Sequence, residues 1–250
     1  MTSDLYDELA GDQTPLATPD RVLTIGAHPD DAEFGAGATL ARWASDGADV
    51  TMLIVTDGSR GSWDPDTNQT HLIHRRKDEQ SRAADVLGAA SVIHLDHVDG
   101  ELENTMELRR SLAMRIRAAR PDVLLTHDPW QRYQLHPDHR ATGFAAVDAI
   151  VAAREPLAYR DSSTAAHRPS SVLLWSADEP DHAEPVTPEW FDVKIEALLC
   201  HASQGSTTMG GADSGADRRL AFIDRLAVWH AENGELFGIG PAEVFKKITP

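Results

Sequence analysis

The 250-residue sequence predicts an α/β, Rossmann-like fold: a mostly parallel sheet with helices on both faces. Two observations carry that prediction. Short, β-branched-rich apolar runs alternate with helix-length segments, as in a doubly wound sheet. The runs are hydrophobic almost without interruption, as strands covered on both faces must be. Hydrophobic residues make up 41% and charged residues 25%, a globular balance that excludes an intrinsically disordered chain.

Residues 1–20 are polar and proline-bearing and read as an N-terminal arm. The first strand is Arg21–Ala27 (RVLTIGA), with a helix from about Phe34 to Ser45. Asp49–Thr56 (DVTMLIVT) is the second strand and Arg75–Leu87 the second helix. Ser91–Leu95 precedes a helix over Met106–Ala119, Asp122–Thr126 precedes one over Pro137–Ala153, and Ser171–Ser176 is a fifth strand. No repeat or linker intervenes, so residues 21–250 are expected to form one domain. Two polar, turn-rich stretches break the rhythm, Asp57–His74 and Ser203–Asp217. Ligands bind beyond the carboxyl ends of the strands, where such loops gather. The first stretch is the better candidate to line a site, and the Gly/Ser-rich second is expected to be mobile.

Charge and composition exclude several classes. Lys+Arg 23 against Asp+Glu 40 gives a net charge of −17, which repels a phosphate backbone, so no nucleic-acid partner is expected. No apolar run is long enough to span a bilayer, and the N-terminus lacks the basic and apolar regions of a signal peptide. A cytoplasmic protein is therefore expected. The single Cys200 supports neither an internal disulfide nor a thiolate metal cage. Gly26, Gly35 and Gly37 do not have G-x-G-x-x-G spacing, and the intervening carboxylates oppose a pyrophosphate.

Any metal site must then be built from imidazoles and carboxylates, and two turns supply them. After the first strand comes Ala27-His28-Pro29-Asp30-Asp31-Ala32-Glu33. Proline fixes φ, so His28 and the two aspartates are held in a defined turn. A helix cap alone would need one Asp, not two beside a histidine. After the fourth strand come Thr126-His127-Asp128-Pro129 and then His136-Pro137-Asp138-His139 at a helix start. His136 and His139 are three apart and face the same side across one helical turn. Two His-Pro-Asp turns, each after a parallel strand, converge at the carboxyl edge of the sheet. Imidazole and oxygen donors without thiolate suit Zn²⁺, and Fe²⁺ or Co²⁺ fit the same set. Two His and one carboxylate leave a position open for water.

These motifs resemble those of the LmbE-like, or PIG-L, family of zinc-dependent N-deacetylases. The matching text is AHPDDAEFGAGATL, TDGSRG, RRKDEQSRAADVLGA, DGEL, RPDVLLTHDP, LHPDHRATG, KIEALLCHASQ and FGIGPAEVF, in order from about Arg21 to the end. The resemblance implies zinc above the carboxyl edge of a Rossmann-like sheet, with His28, Asp31 and His139 as ligands. It implies Asp30 as general base, and His136, kept protonated by Asp138, as oxyanion stabiliser and acid. Arg76, matching the arginine of an R-x-x-E pattern with Glu79, would contact substrate. So would Asp96 or Asp99, with Gly58 and Ser59 lining the pocket through their backbones. His201 is a further candidate, more often structural in such a place. The implied reaction is removal of an N-acetyl group from an amino sugar or its conjugate. An amidase acting on a thiol-sugar conjugate or another small amide is the alternative, and a non-catalytic metal-binding protein is a third reading. Two departures stand out: HPDDAE in place of the commoner HPDDE, and Gln134 where some mycothiol-pathway relatives carry a mobile tyrosine, with Tyr133 beside it. The partner implied is a small amino-sugar or amide substrate. Related proteins range from monomers to hexamers, so a homo-oligomer is compatible with the sequence.

Overall fold

A computed structural model describes residues 15–250. Along the chain lie β1 (Arg21–Gly26), α1 (Asp31–Ser45), β2 (Asp49–Thr56), α2 (Gln69–Leu87), β3 (Ser91–His97), α3 (Met106–Ala119), β4 (Val123–His127) and α4 (Pro137–Arg154). The second half adds β5 (Ser171–Trp175), β6 (His182–Pro185), α5 (Pro188–Cys200), α6 (Ala216–Leu236) and β7 (Ala242–Ile248). The sheet runs β3-β2-β1-β4-β5-β7-β6. β1 to β5 are mutually parallel, while β7 is antiparallel to both β5 and β6. Val22 of β1 is paired with Val50 on one side and Val123 on the other.

The uninterrupted apolar runs have a simple cause. Alternate side chains of each strand point to opposite faces, and both faces are covered. Val22, Val50, Met52, Ile54, Leu125 and Trp175 pack under α1, α2 and α5. Leu23, Ile25, Leu53, Val55, Leu124 and Leu174 pack under α3 and α4. Chain order reverses between β1 and β4, which places the topological switch point, and the crevice above it, between those two strands.

The structure departs from expectation at several ends. α1 begins at Asp31, so the HPDD turn runs straight into the helix, and α2 begins at Gln69, not Arg75. Its start is set by Asn68, whose side chain accepts the His71 N–H at 3.0 Å. The stretch Asp57–His74 is therefore half loop and half helix. β6, β7, α5 and α6 are additions to the expected elements; β6 is four residues long and carries Pro185, which hides its pattern. The Ser203–Asp217 stretch is pinned in place: Ser203 donates to Glu79 through N at 2.9 Å and Oγ at 2.5 Å, and Gln204 Nε2 donates to Gly61 O at 3.0 Å. Of the expected N-terminal arm, residues 1–14 lie outside the described residues, and Leu16 packs against the core.

Candidate active site

The turn from β1 to α1 is pinned at both ends. Thr56, the last residue of β2, donates its N–H and its hydroxyl to Ala27 O, both at 2.8 Å. Inside the turn, Asp31 Oδ2 accepts the His28 N–H at 2.6 Å. Asp30 is forced to φ 108°, a conformation costly for a residue with a Cβ. Gln80 compensates by accepting the Asp30 N–H at 3.1 Å, and its own amide donates to Glu33 at 2.5 Å. Asp30 makes no side-chain cap, and its Oδ2 is buried without a hydrogen-bond partner.

Three donor side chains meet above the switch point. His28 Nδ1 lies 3.2 Å from His139 Nε2 and 3.5 Å from Asp31 Oδ2, and His139 Nε2 lies 3.3 Å from Asp31 Oδ1. In that triangle the 3.2 Å between the two imidazole nitrogens matches the roughly 3.3 Å spacing of ligand atoms around a tetrahedral divalent ion with bonds of about 2.0–2.1 Å, and the Asp31 carboxylate presents one oxygen to each ring. The other ring nitrogen of His28 is committed elsewhere. Its Nε2 faces Asp138 Oδ2 at 3.2 Å and Asp99 Oδ1 at 3.3 Å, so it carries the proton and leaves Nδ1 as the free donor. Burial alone would lower the His28 pKa, but Asp138, Asp31 and Asp99 together raise it.

His127, at the end of β4, also touches the triangle. Its Nδ1 accepts the Trp175 indole N–H at 3.0 Å, and Nε2 sits 3.1 Å from Asp31 Oδ2. The Ala27 N–H also approaches Nε2, at 3.2 Å. An indole only donates and a carboxylate only accepts, so those two partners set the tautomer: Nε2 carries the proton toward Asp31. Burial lowers the His127 pKa to about 4, which keeps it neutral. Sequence reasoning quoted His127 without a role. The signal was its place as the last residue of a central strand.

Asp30 and Asp31 titrate apart. Burial would raise Asp31, but the nearby His139 and His127 rings hold it well below the carboxylate range. For Asp30 burial wins over the Arg76 guanidinium 3.7 Å away and raises the pKa to about 6.

His136 caps α4 by accepting the Asp138 N–H on Nδ1 at 3.3 Å. The expectation that Asp138 keeps His136 protonated needs correction. The Asp138 carboxylate turns away to His28 Nε2 and to the N–H groups of Gly100 (2.7 Å) and Leu102 (3.3 Å). Burial, then the His28 and His139 rings, lower the His136 pKa. It is a neutral imidazole whose Nε2–H is free to donate.

The expected substrate contacts divide. Asp99 lines the cavity, whereas Asp96 points outward and pairs with Lys77 at 2.5 Å. Asp96, the penultimate residue of β3, stands at φ 59°, and this local turn separates its outward carboxylate from that of Asp99, which reaches inward. Arg76 also lines the cavity, but Nη1 donates to Gly58 O at 3.1 Å and Nη2 to Pro29 O at 2.7 Å. Its guanidinium holds the turn and lies 3.7 Å from Asp30 Oδ2. The guanidinium packs so close to Gly58 that a Cβ there would lie 2.8 Å from Nη1. Gly58 and Ser59 sit behind the wall, and their neighbours Arg60 and Gly61 line it with Trp63. Gln134 lines the cavity and Tyr133 faces solvent. His201 is fully buried outside the cavity lining, its Nε2 3.4 Å from Glu33 Oε1.

The chain and its fold are similar to known proteins. The sequence profile of the family described as GlcNAc-PI de-N-acetylase (PIG-L) matches residues 23–150. The chain is 35% identical over 193 residues to the diacetylchitobiose deacetylase of Thermococcus kodakarensis, covering 76% of this chain and 72% of that protein. It is 30% identical to the mycothiol S-conjugate amidase of Streptomyces coelicolor over 57% of this chain and 55% of that protein. Among solved structures, N,N'-diacetylchitobiose deacetylase from Pyrococcus horikoshii, complexed with its inhibitor MPG, superposes with a TM-score of 0.86 at 26% identity, covering 100% of this chain and 93% of that one.

Proposed function

The chain belongs to the PIG-L (LmbE-like) family, and from that premise we propose that it is a zinc-dependent hydrolase removing the acetyl group from an N-acetylated amino sugar or its conjugate. One observation carries the reading: two adjacent carboxylates stand in opposite surroundings. Asp31 completes the His28–His139 triangle. Asp30 is buried with an unpartnered oxygen and a pKa of about 6, the range of a base working near neutral pH.

His28, Asp31 and His139 hold the cation, with Fe²⁺ or Co²⁺ admissible on the same donors. When bound, a cation of this kind lowers the pKa of a coordinated water and polarises a carbonyl. Asp30 takes the proton of the attacking water as the new C–O bond forms. His136, neutral and with Nε2–H free, donates to the carbonyl oxygen as that atom gains negative charge. Asp30 returns its proton to the amine nitrogen as the C–N bond breaks, releasing acetate and a free amino sugar. Asp99 and Asp138 hold the His28 ring, and Arg76 holds the turn carrying Asp30.

Acetate release tests the reading. Cation-reconstituted protein should release acetate from N-acetylglucosamine derivatives. Cleavage of a cysteinyl amide of glucosamine without any acetate release would favour the amidase alternative, which the similarity to the mycothiol-conjugate amidase supports. Stoichiometric cation with neither reaction would leave a binding protein.

A further inference from the structure

Three polar side chains close to Asp30 take no part in any step of the hydrolysis. Glu33 of α1, Gln80 of α2 and His201, which follows α5, are each at most 1% exposed, and none of them lines the cavity. The sequence singles out two of them, Glu33 as the displaced acid of HPDDAE and His201 within KIEALLCHASQ. Burying such groups is unfavourable unless each is paired, and the pairing they adopt leads to the base.

Donor chemistry fixes the order of contacts. A backbone N–H only donates, so Gln80 turns Oε1 toward Asp30 N at 3.1 Å. Its Nε2 then faces Glu33 Oε1 at 2.5 Å, where an acceptor is required. The same Glu33 oxygen lies 3.4 Å from His201 Nε2. Burial alone would lower the His201 pKa, but Glu33 and then Asp30 raise it, so the ring supplies the positive charge that a buried carboxylate needs. Beside this chain Glu79 accepts from Ser203 N and Oγ, which clamps the segment carrying His201 onto α2 a second time.

The chain ends on the peptide unit between Pro29 and Asp30. Arg76 Nη2 donates to Pro29 O at 2.7 Å, and Gln80 accepts from Asp30 N, so both polar groups of that peptide are held by side chains of α2 four residues apart. The plane of the peptide is thereby fixed from one helix face. Asp30 stands just after it at φ 108° and ψ −22°, a backbone that persists only where its surroundings over-determine it. We propose that Gln80, held in turn by Glu33 and His201, is a positioning residue that locks the Pro29–Asp30 peptide and so holds the Asp30 carboxylate where it serves as base. The role of the carboxylate rests on the deacetylase reading, whereas the locked peptide is independent of it.

The first readout is acetate release from an N-acetylglucosamine derivative by Zn²⁺-loaded protein. Gln80→Met keeps the length of the side chain and removes both hydrogen bonds. Its kcat should fall about 10²-fold, the effect of a reacting group misplaced by roughly 1 Å, with KM and bound Zn²⁺ unchanged. Glu33→Ala should lose rate in the same way, and Glu33→Gln, whose amide oxygen still accepts from Gln80, should recover most of it. The double variant Gln80→Met/Glu33→Ala should be no slower than Gln80→Met, because the two residues act through one chain of contacts. An unaltered kcat in Gln80→Met, a loss confined to KM or to bound Zn²⁺, no recovery in Glu33→Gln, or losses that multiply in the double variant would each overturn the proposal. If Gln80→Met is unfolded by circular dichroism, Glu33→Ala against Glu33→Gln decides. If no sugar yields acetate, the deacetylase reading falls separately, and hydrogen exchange at the Asp30 amide decides the locked peptide. Exchange should quicken in Glu33→Ala and return toward wild type in Glu33→Gln while the amides of α1 stay protected; equal protection in all three proteins removes the lock.

Discussion

Asp30 and Asp31 are one peptide bond apart and stand in opposite surroundings, Asp30 beside a buried guanidinium and Asp31 among imidazoles. Asp31→Ala removes a ligand, so cation affinity should collapse in a chelator competition. Asp30→Asn keeps size and polarity but accepts no proton; the cation should stay bound while kcat falls roughly 10²–10⁴-fold. Loss of the cation in Asp30→Asn but not in Asp31→Asn would exchange the two roles. The acidic limb of kcat/KM reports Asp30: below its pKa the carboxylate is protonated and rate is lost. Protein groups alone set that value at about 6, and a bound cation favours the anion, so the limb should fall at or below pH 6 and flatten in Asp30→Asn. His127 acts through Asp31. His127→Phe removes the Nε2–H aimed at that carboxylate, and Zn²⁺ affinity should drop about 10–100-fold, as for other lost partners of metal ligands. Unchanged affinity would make His127 merely a core residue.

Among the elements, α1 shows how packing serves the site. The glycines after the first turn, which carry no dinucleotide spacing, have a packing purpose. A Cβ on Gly35 would lie 2.6 Å from Trp175 Cγ, so the missing side chain is the seat of the indole that fixes the His127 tautomer. Gly35→Ala should cost about 1–3 kcal/mol in denaturant unfolding and weaken cation binding as well. Gly240→Ala, where a Cβ meets nothing within 4 Å and φ is unstrained, is the control and should stay within about 0.5 kcal/mol. An undisturbed Gly35→Ala would mean that the indole can shift freely. Element ends followed local chemistry that a hydrophobic pattern does not register. Asn68 starts α2 inside a stretch that reads as loop, because its cap satisfies helix donors ahead of the first apolar residue.

At the scale of the whole molecule, a buried charge network ties the late elements to the early ones. Glu243 of β7 accepts from Ala38 N and Thr39 N of α1 and from Lys194 of α5, and Lys194 meets His230 of α6. His230 donates from Nδ1 to Leu226 O, so its Nε2 is the acceptor and the ring is neutral. Burial, then Lys194, lowers its pKa to about 4, below the value near 6.5 of an unfolded chain. Between those values the unfolded state binds more protons, so stability is complete above pH 6.5 and is lost as pH falls toward 4. The loss should be on the order of 3 kcal/mol for this group, read as unfolding midpoints across that window. His127, also at about 4, adds in the same direction, so His230→Gln should flatten the dependence without abolishing it. An unaltered slope would show that His230 titrates normally.

What the sequence determined by itself is what depends on local order along the chain. Near-continuous apolar runs demand a sheet covered on both faces, and HPDD and HPDH each force histidine and carboxylate into one rigid turn. The five parallel strands, and the meeting of those turns at one edge, follow from that pattern. Only the tertiary structure decided which carboxylate serves which imidazole. Asp138 is two residues from His136 yet bonds to His28, 110 residues away. Asp96 and Asp99 look equivalent until the left-handed turn at Asp96 sends one outward. The α6 wall of the cavity belongs to the same class, because Trp229 gains its setting from Lys194 of α5, which Glu243 of β7 holds behind it. Side-chain pairing is set by distance through space, and across a doubly wound sheet that distance bears no relation to separation along the chain.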